Sequence, residues 1–321
     1  MNELVSLHDI QQAAARIRPV ARVTPLLDLS VALPASCAAK RLLVKCENLQ
    51  PAGAFKIRGA YNMAAQLSAA ERARGIITYS SGNHGQSLAL AAHLLGIRAV
   101  IVMPTTAPDV KIEGARRYGA EVLFEGTTTL QRKARAEGEA RARGLTMVPP
   151  FDHPWIIAGQ GTIGLEILDQ CSDVATVYVQ VGGGGLISGV AAAIKRVKPA
   201  VRIVGVEPCG APKMSTSLRA GHPVTLDRTT GVTDGLLAVR PGELTFPHVQ
   251  ALVDEVVTIE DDATLNAVRW LFKEAKLVVE PSGAITVAAA FAGAGAPLDG
   301  PVVAVLSGGN VAPDAFARYL G

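Results

Sequence analysis

Hydrophobic and polar positions along the chain follow two patterns, one with the period of a helix and one with the length and composition of a strand. Residues 6–18 carry apolar side chains at helical spacing, and residues 42–45 form a short apolar run of strand type. From residue 75 onward the two patterns follow each other regularly. Strands are predicted at residues 75–79, 99–103 and 121–124, and helices at residues 57–67, 86–95, 108–118 and 128–143. Such an alternation predicts a parallel sheet covered by helices on both faces.

A proline-rich segment, residues 149–154, interrupts this alternation and is typical of a connection between lobes. Beyond it, strands are predicted at residues 176–181, 202–206 and 302–306, and helices at residues 161–170, 186–196, 264–274 and 284–292. Residues 208–242 have little periodicity and are predicted to form loops over a cleft. The predicted fold is α/β with two lobes: a large domain of residues 1–74 and 150–321, and a small domain of residues 75–149.

The composition changes this picture only by excluding partners. With 49% hydrophobic and 18% charged residues, the 321-residue chain can bury a large core. A net charge of +3 and 4% aromatic residues give no reason to expect nucleic acid or an anionic membrane as a partner. The four cysteines form no Cys-x-x-Cys pair, the N-terminus is not of secretory type, and no apolar run predicts a membrane span. We therefore expect a cytoplasmic protein.

Lys56 is the first candidate for covalent chemistry. Phe55 and Ile57 flank it, so its ammonium is expected to be partly desolvated. Desolvation favours the neutral amine, which attacks carbonyl groups and forms Schiff bases. The alternative is a lysine that only begins a helix or lies at the surface.

Four successive glycines form the second candidate site. They follow an apolar strand and open a helix, and they are Gly182, Gly183, Gly184 and Gly185. Bare backbone N–H groups at a helix N-terminus bind phosphate well. The same arrangement is compatible with a dinucleotide site, with Glu207 as the ribose-binding acid, although Ile187 and Ser188 interrupt the G-x-G-x-x-G spacing. A nicotinamide-dependent oxidoreductase and a tight structural turn therefore remain alternatives.

Two further loops follow predicted strands. Residues 80–85, Ser-Ser-Gly-Asn-His-Gly, offer hydroxyl, amide and backbone donors at a helix N-terminus, which suits a carboxylate, or simply caps the helix. Ser307 follows the last strand, and its neutral hydroxyl can form one hydrogen bond to a ring nitrogen.

Taken in order, these motifs carry a resemblance. They are Phe55-Lys56-Ile57-Arg58-Gly59, Ser80-Ser81-Gly82-Asn83-His84-Gly85, Ile157-Ala158-Gly159-Gln160-Gly161-Thr162, the four glycines, Glu280-Pro281-Ser282-Gly283 and Ser307-Gly308-Gly309-Asn310. From about Ile10 to Asn310 the chain resembles the serine/threonine dehydratase and serine racemase family, fold-type II enzymes that use pyridoxal 5'-phosphate. The resemblance implies that the large domain binds the cofactor and that the small domain lies on the substrate side.

The resemblance also implies roles for individual residues. Lys56 would hold the cofactor as a Schiff base, and Gly182, Gly183, Gly184 and Gly185 would bind its phosphate. Asn83 would meet its phenolic oxygen, Ser307 its pyridine nitrogen, and Phe55 would pack beside its ring. The substrate carboxylate would be surrounded by Ser80, Ser81, Gly82, Asn83 and His84.

The activity that this resemblance implies is β-elimination. Lys56 would take the Cα proton of an amino acid, the β-hydroxyl would leave, and a 2-oxo acid and ammonia would be released. Ser81 stands where serine racemases keep a second catalytic hydroxyl, so racemisation is the alternative activity. Phe151 and the apolar run at residues 233–238 favour the dehydratase, acting on threonine, serine or a bulkier substrate such as phenylserine. A non-catalytic binding protein is the third class.

Departures from the family pattern concern cations and regulation. Racemase-like members bind a divalent cation at positions that correspond to Glu207, Ala211 and 213. Lys213 has the wrong charge for such a ligand, so we predict that its ammonium replaces the metal and that the protein has no metal site. The chain ends soon after Ser307, so feedback inhibition through a C-terminal domain is not expected. The family resemblance also implies a homodimer with a small-molecule amino-acid substrate.

Overall fold

The structure is a computed structural model that describes residues 3–80, 82–107, 109–295 and 298–321. The strands are β1 Leu26–Asp28, β2 Leu42–Lys45, β3 Ile76–Thr78, β4 Ala99–Met103, β5 Glu121–Phe124, β6 Thr146–Met147, β7 Thr176–Gln180, β8 Arg202–Pro208, β9 Glu255–Ile259 and β10 Val302–Val305. The helices are α1 Leu7–Ile17, α2 Lys56–Ala64, α3 Ala69–Arg74, α4 Asn83–Leu95, α5 Asp109–Arg116, α6 Thr129–Arg143, α7 Pro154–Gln170, α8 Gly185–Val197, α9 Lys213–Ala220, α10 Thr245–Leu252, α11 Asp261–Ala275, α12 Pro281–Ala292 and α13 Pro313–Leu320.

The described strands form two sheets. One has six strands in the order β1-β2-β10-β7-β8-β9, and all of its pairs are parallel except β1 with β2. The other has four parallel strands in the order β5-β4-β3-β6. This arrangement confirms the predicted α/β class with mostly parallel sheets flanked by helices. The exact domain limits stay a prediction.

The central strands of each sheet are buried on both faces because they are apolar at successive positions. In β2, Leu42 and Val44 pack into one core cluster, whereas Leu43 packs into the cluster on the opposite face. In β3, Ile76 and Ile77 divide in the same way. Helix α2 adds Ile57 to the core of the smaller sheet although it lies near the start of the chain. It therefore packs on both lobes.

A close helix crossing sets the position of α2. A Cβ atom on Gly59 would come within 2.4 Å of Gln160 Nε2, and one on Gly159 would come within 2.6 Å of the Gly59 Cα atom. Glycine at both positions lets the backbones of α2 and α7 approach this closely. Gly159, in the motif of residues 157–162, therefore lets α7 pack closely against the helix that begins at Lys56.

Two sequence predictions are wrong in detail. Residues 208–242 are not only loops, because they contain α9, a short and mostly polar helix with a weak periodic signal. Helix α7 begins at Pro154, seven residues before the predicted start at residue 161. Its glycines have low helix propensity, but tertiary packing against α2 and α8 overrides it.

No helix in the described ranges combines the length and apolarity needed to span a lipid bilayer. Within the same residues, no group of three or more His, Cys, Asp or Glu side chains is arranged to hold a metal ion.

Candidate active site

Three neighbouring parallel strands bring the main candidate groups to one edge of the larger sheet. β2, β10 and β7 lie side by side. The chain leaves β2 for α2 and Lys56, leaves β10 for Ser307, and leaves β7 for the glycine loop, residues 182–185. The Phe55 N–H donates to the Ser307 carbonyl oxygen at 3.0 Å, which ties two of these segments together. Ligands bind at such carboxyl ends in parallel sheets.

Lys56 is the first residue of α2, and its amine faces the cleft. Nζ donates to the Pro150 carbonyl oxygen at 2.6 Å and lies 5.1 Å from the centre of the Phe55 ring. Among the described residues, no carboxylate forms an ion pair with it. Desolvation lowers the pKa of Lys56 to about 8, so about a tenth of the amine is neutral at pH 7, far more than for an ordinary lysine. This confirms the expectation that its surroundings disfavour the ammonium.

The glycine loop forms a cradle that side chains would fill. A Cβ atom on Gly183 would lie 2.4 Å from the Phe151 ring, and one on Gly185 would lie 2.9 Å from Phe151 Cβ. Gly184 has a φ of 100°, a left-handed conformation that glycine adopts without strain, and it precedes α8. The Gly183 carbonyl oxygen is held by Thr245 Oγ1 at 2.6 Å. These contacts fix the loop at the helix N-terminus, where it suits an anion.

The opposite wall comes from the smaller sheet. Helix α4 begins at Asn83, directly after the loop that follows β3, and its first residues, Asn83 and His84, line the cleft, where their N–H groups have no intrahelical partners. Ser80 and Gly82 line the same cleft. Ser81, predicted to be catalytic and to bind the substrate, lies outside the described residues.

His84 also lines this wall. Its ring is buried, and Nε2 lies 3.1 Å from the Val148 carbonyl oxygen, which can only accept, so Nε2 carries the proton. Burial and the nearby Lys56 lower the pKa of His84 to about 3, so the imidazole is neutral. Nδ1 is then an acceptor, with no partner among the described residues. The His84 ring therefore has no free N–H group to donate to the cleft.

Asn83 is oriented by two side chains. Its Nδ2 donates to Glu280 Oε1 at 2.6 Å, and its Oδ1 accepts from Asn310 Nδ2 at 2.9 Å. Burial and the charge of Asp234 raise the pKa of Glu280 to about 8, so this carboxyl group is largely protonated at neutral pH. Sequence reasoning missed Glu280 as a site residue, although it is the first residue of the Glu-Pro-Ser-Gly motif.

All of the described candidate residues line one cleft of about 1440 Å³. They are Phe55, Lys56, Ser80, Gly82, Asn83, His84, Gly182, Gly183, Gly184, Gly185 and Ser307. One side of the cleft carries the apolar residues Leu236, Leu237, Ala238 and Val239. The other carries cations of α5 and α6, among them Lys111 and Arg132.

Glu207 does not face this cleft. Its carboxylate accepts the N–H groups of Met214 at 2.8 Å and Ser215 at 3.0 Å, at the start of α9, and lies 3.1 Å from Lys213 Nζ. These buried contacts occupy the oxygens that a ribose-binding acid would need. The Lys213 ammonium lies beside Glu207, as predicted, and its replacement of a divalent cation stays a prediction.

The residues present fit pyridoxal 5'-phosphate. Because Cβ atoms on Gly183, Gly184 and Gly185 would collide with Phe151 and Thr245, the loop keeps bare backbone N–H groups, which suit a phosphate at the start of α8. Lys56 presents an amine of lowered pKa, as an aldehyde requires. Ser307 is buried, and its hydroxyl lies 3.5 Å from the nearest carbonyl oxygen, that of Ser282, so it is free to bond a ring nitrogen more closely.

Comparisons with known proteins agree with this fit. Residues 17–308 match the family model described as pyridoxal-phosphate dependent enzyme. The L-threonine ammonia-lyase of Thermotoga maritima is 42% identical over 320 residues, which are 99% of this chain and 78% of that protein. A biosynthetic L-threonine dehydratase of Pasteurella multocida is 41% identical over 86% of this chain, which spans only 53% of that protein. The structure of maize serine racemase matches with a TM-score of 0.93 at 38% identity, covering 98% of this chain and 97% of that one.

Proposed function

This chain belongs to the family of pyridoxal-phosphate-dependent enzymes, in the group of threonine dehydratases and serine racemases, and from that premise we propose that it dehydrates and deaminates a β-hydroxy L-amino acid. The predicted family, fold class and cofactor are confirmed by this membership. The same membership argues against the alternative of a nicotinamide-dependent oxidoreductase, which the glycine loop alone had left open.

The observation that carries the proposal is the Lys56 amine, with its lowered pKa, at the shared edge of β2, β10 and β7. Lys56 would bind the cofactor aldehyde as a Schiff base, and residues 182–185 would hold the phosphate. Phe55 would lie beside the ring, with Ser307 at its nitrogen and Asn83 at its oxygen. The bound cofactor supplies an electron sink for the bond that breaks at Cα.

Lys56 also moves the proton. Once an amino acid had taken its place, the freed amine would accept the Cα proton, because its desolvated surroundings lower its pKa to about 8. The hydrogen bond from Nζ to the Pro150 carbonyl oxygen holds the amine at the floor of the cleft.

The N-terminus of α4 would bind the substrate carboxylate. Its free N–H groups and positive end favour an anion, and the Ser80 hydroxyl lies beside them. Asn83, held by Glu280 and Asn310, would lie between this end of the substrate and the cofactor and would orient the two toward each other. Loss of the β-hydroxyl as water would leave an enamine, and its hydrolysis by one water would release ammonia and a 2-oxo acid.

The apolar side of the cleft supports a substrate with an apolar β-substituent. Leu236, Leu237, Ala238 and Val239 would face the methyl group of threonine or the ring of phenylserine. Serine, which lacks that group, would use less of this surface.

A substrate panel combined with a lysine variant tests the proposal. Purified protein is given L-threonine, L-serine and L-phenylserine, and release of 2-oxo acid is measured. Lys56→Ala should abolish both the release of 2-oxo acid and the absorbance of the bound cofactor. Lys195→Ala is the control and should retain both, because Lys195 lies on α8 and pairs with Asp254. Full activity in Lys56→Ala would overturn the proposal.

Serine racemisation is the second candidate. The similarity to maize serine racemase and the hydroxyl residue at position 81 favour it. Chiral analysis of L-serine after incubation separates the two activities. If D-serine accumulates faster than pyruvate, the racemase ranks first.

Assembly and location complete the proposal. We infer a homodimer, as the resemblance implies, and a cytoplasmic protein, which the four unpaired cysteines support. Light scattering after size-exclusion chromatography tests the dimer.

A further inference from the structure

His248 is a buried imidazole on α10 that does not line the catalytic cleft. The residue is 3% exposed. Its Nε2 accepts the backbone N–H of Val5 at 2.8 Å, and its Nδ1 lies 2.7 Å from the Leu244 carbonyl oxygen. A carbonyl oxygen only accepts and a backbone N–H only donates, so Nδ1 carries the proton and Nε2 does not. Two backbone groups therefore fix the ring in one neutral form.

Val5 belongs to the N-terminal segment, residues 3–6, which leads into α1. Its side chain is buried in a core cluster shared by α1, α7 and α8. Ser6, the next residue, caps α1 and bonds Asp9 on that helix. Among the described residues, the bond from the Val5 N–H to His248 is therefore the hydrogen bond that joins the N-terminal segment to α10.

The start of α10 also holds the glycine loop. Thr245 Oγ1 donates to the Gly183 carbonyl oxygen at 2.6 Å, and the Gly242 N–H donates to the same oxygen at 3.1 Å. Leu244, whose carbonyl group bonds the His248 ring, lies between these two residues in the chain. This short helix therefore connects the N-terminal segment to the loop proposed to hold the cofactor phosphate.

A proton on Nε2 is incompatible with this arrangement. The imidazolium carries N–H groups at both nitrogens, so the Nε2–H of His248 would face the Val5 N–H. Two donors cannot share a hydrogen bond, and the contact would be lost. The bond between the ring and the Leu244 carbonyl oxygen would remain, because Nδ1 is a donor in both forms.

The surroundings of the ring keep it neutral at physiological pH. Burial has the largest effect and lowers the pKa of His248 below its ordinary value of 6.5. The Leu244 carbonyl group raises this pKa, Arg196 on α8 lowers it, and Asp152 before α7 raises it. The ionisable side chains of the N-terminal segment and of the first turn of α1 are exposed; they are Glu3, His8 and Asp9. The ring therefore becomes charged only as the pH falls below about 6.5.

We propose that His248 is a positioning residue: in its neutral form it docks the N-terminal segment on α10, this docking holds Thr245 against Gly183, and protonation of the ring releases the segment and weakens binding of the cofactor phosphate. This role rests on the one proposed for the glycine loop. Acidification thereby reaches the cofactor site through a group that contacts neither cofactor nor substrate.

The first test follows the N-terminal segment in the apoprotein. Hydrogen exchange, measured by mass spectrometry, reports the protection of the peptide that contains Val5. After correction for the intrinsic pH dependence of exchange, this protection should fall from about pH 7.5 to about pH 5. His248→Gln should keep the protection constant, because its amide oxygen accepts the Val5 N–H but cannot be protonated in this range. Equal curves for the two proteins would overturn the proposal.

The second test measures the dissociation constant for pyridoxal 5'-phosphate by absorbance titration over the same range of pH. Each wild-type value is divided by that of His248→Gln, so that the titration of Lys56 and Glu280, present in both proteins, cancels. The ratio should be near one at about pH 7.5 and should rise about three- to fivefold at about pH 5, as expected for the loss of one hydrogen bond. A ratio that does not change with pH would refute the proposed control of affinity.

Two further variants separate this role from general effects. His222→Gln is the matched control, because His222 is exposed, and it should keep the wild-type dependence on pH. His248→Leu cannot accept the Val5 N–H and should show low protection and weak affinity at every pH. Wild-type affinity in His248→Leu would overturn the proposal.

Failure to fold and failure of the proposed function give different results. If His248→Leu does not fold, the comparison of wild type with His248→Gln still decides, because both hydrogen bonds of the ring have a counterpart or a substitute there. If the wild-type protein binds no pyridoxal 5'-phosphate at any pH, the proposed function is wrong. The hydrogen exchange of the Val5 peptide needs no cofactor and tests the contact with His248 by itself.

Discussion

Two ionisable residues of the cleft are shifted toward their neutral forms by the same cause. Burial lowers the pKa of Lys56 to about 8 and raises that of Glu280 to about 8. His84, with its pKa near 3, stays neutral over the working range of pH. At the scale of single residues, the site is therefore a low-dielectric pocket whose chemistry depends on neutral groups.

The rate of cofactor attachment should report the Lys56 shift. Only the neutral amine attacks the aldehyde, so the rate with apoprotein should rise about tenfold per pH unit below pH 8 and level off above it. Stopped-flow absorbance measures it. A rise that continues to about pH 10.4, the ordinary lysine value, would contradict the shift. Because Glu280 titrates in the same range, Glu280→Gln serves as the control and should keep the profile.

Glu280 should make the free energy of unfolding depend on pH. Its folded pKa, about 8, lies above the ordinary value of 4.5, so the unfolded chain ionises first as the pH rises. The stability that this group contributes is complete below about pH 4.5 and is lost as the pH rises to 8. Urea unfolding of the apoprotein should show this decline relative to Glu280→Gln, which cannot ionise. Parallel pH curves for the two proteins would contradict it.

At the scale of elements, a buried charge network anchors α2. Arg58, 1% exposed, bonds Glu47 at 2.7 Å and Glu166 at 2.6 Å, and Lys45 bonds Glu166 at 2.6 Å. These residues come from β2, the turn after it, α2 and α7. The network therefore fixes the helix on which Lys56 is the first residue.

Removing Arg58 should destabilise the fold strongly. Arg58→Met leaves the fully buried Glu47 uncompensated, which costs about 3–5 kcal/mol in the free energy of unfolding. Arg41→Met is the control, because the ion pairs of Arg41 with Asp28 and Asp173 are exposed and should contribute little to the free energy of unfolding. Urea unfolding measures both. Equal losses in the two variants would show that burial of the network contributes nothing.

The sequence predicted elements well where the pattern is strong and local. The bounds of β2, β4 and β5 agree end to end with the predictions. Helix α9 could not be found in this way, since the Glu207 carboxylate stabilises its first turn from another element. The short strands β1 and β6 and the half-exposed β9 also lack a strong pattern of their own.

The sequence predicted those site residues that belong to short motifs directly after a predicted strand. Lys56, the glycine loop and Ser307 come together as expected, at one sheet edge. The contact of Phe151 with the glycine loop and that of Glu280 with Asn83 join residues far apart in sequence, so no local pattern reveals them.

At the scale of the whole molecule, the described residues connect the two lobes across the cleft through α2, through the hydrogen bonds of Asn83 and through an ion pair. Lys111, on α5 of the smaller lobe, lies 2.9 Å from Asp234, whose neighbour Gly235 bonds Ser282 at the start of α12. Asp234 also raises the pKa of Glu280. The ion pair therefore connects the smaller lobe to the segment that contacts Ser282 and Glu280 in the site.

Breaking this ion pair should weaken substrate binding more than catalysis. Lys111→Met should raise KM about two- to fivefold, as expected for a largely exposed pair, with kcat changed by less than about twofold. Lys133→Met is the control, because Lys133 lines the same cleft but pairs with Glu137 on its own helix. Steady-state kinetics with threonine test this. Equal effects of both variants would indicate general charge loss and not a link between the lobes.

Lys56, the glycine loop and Ser307 all emerge from one rigid sheet, whereas the helix end proposed for the carboxylate belongs to the other. Separation of the two lobes would release the product, while the prosthetic group would remain bound to the lobe of the larger sheet. The protein should consequently remain yellow through prolonged dialysis and many turnovers when no pyridoxal 5'-phosphate is added to the buffer.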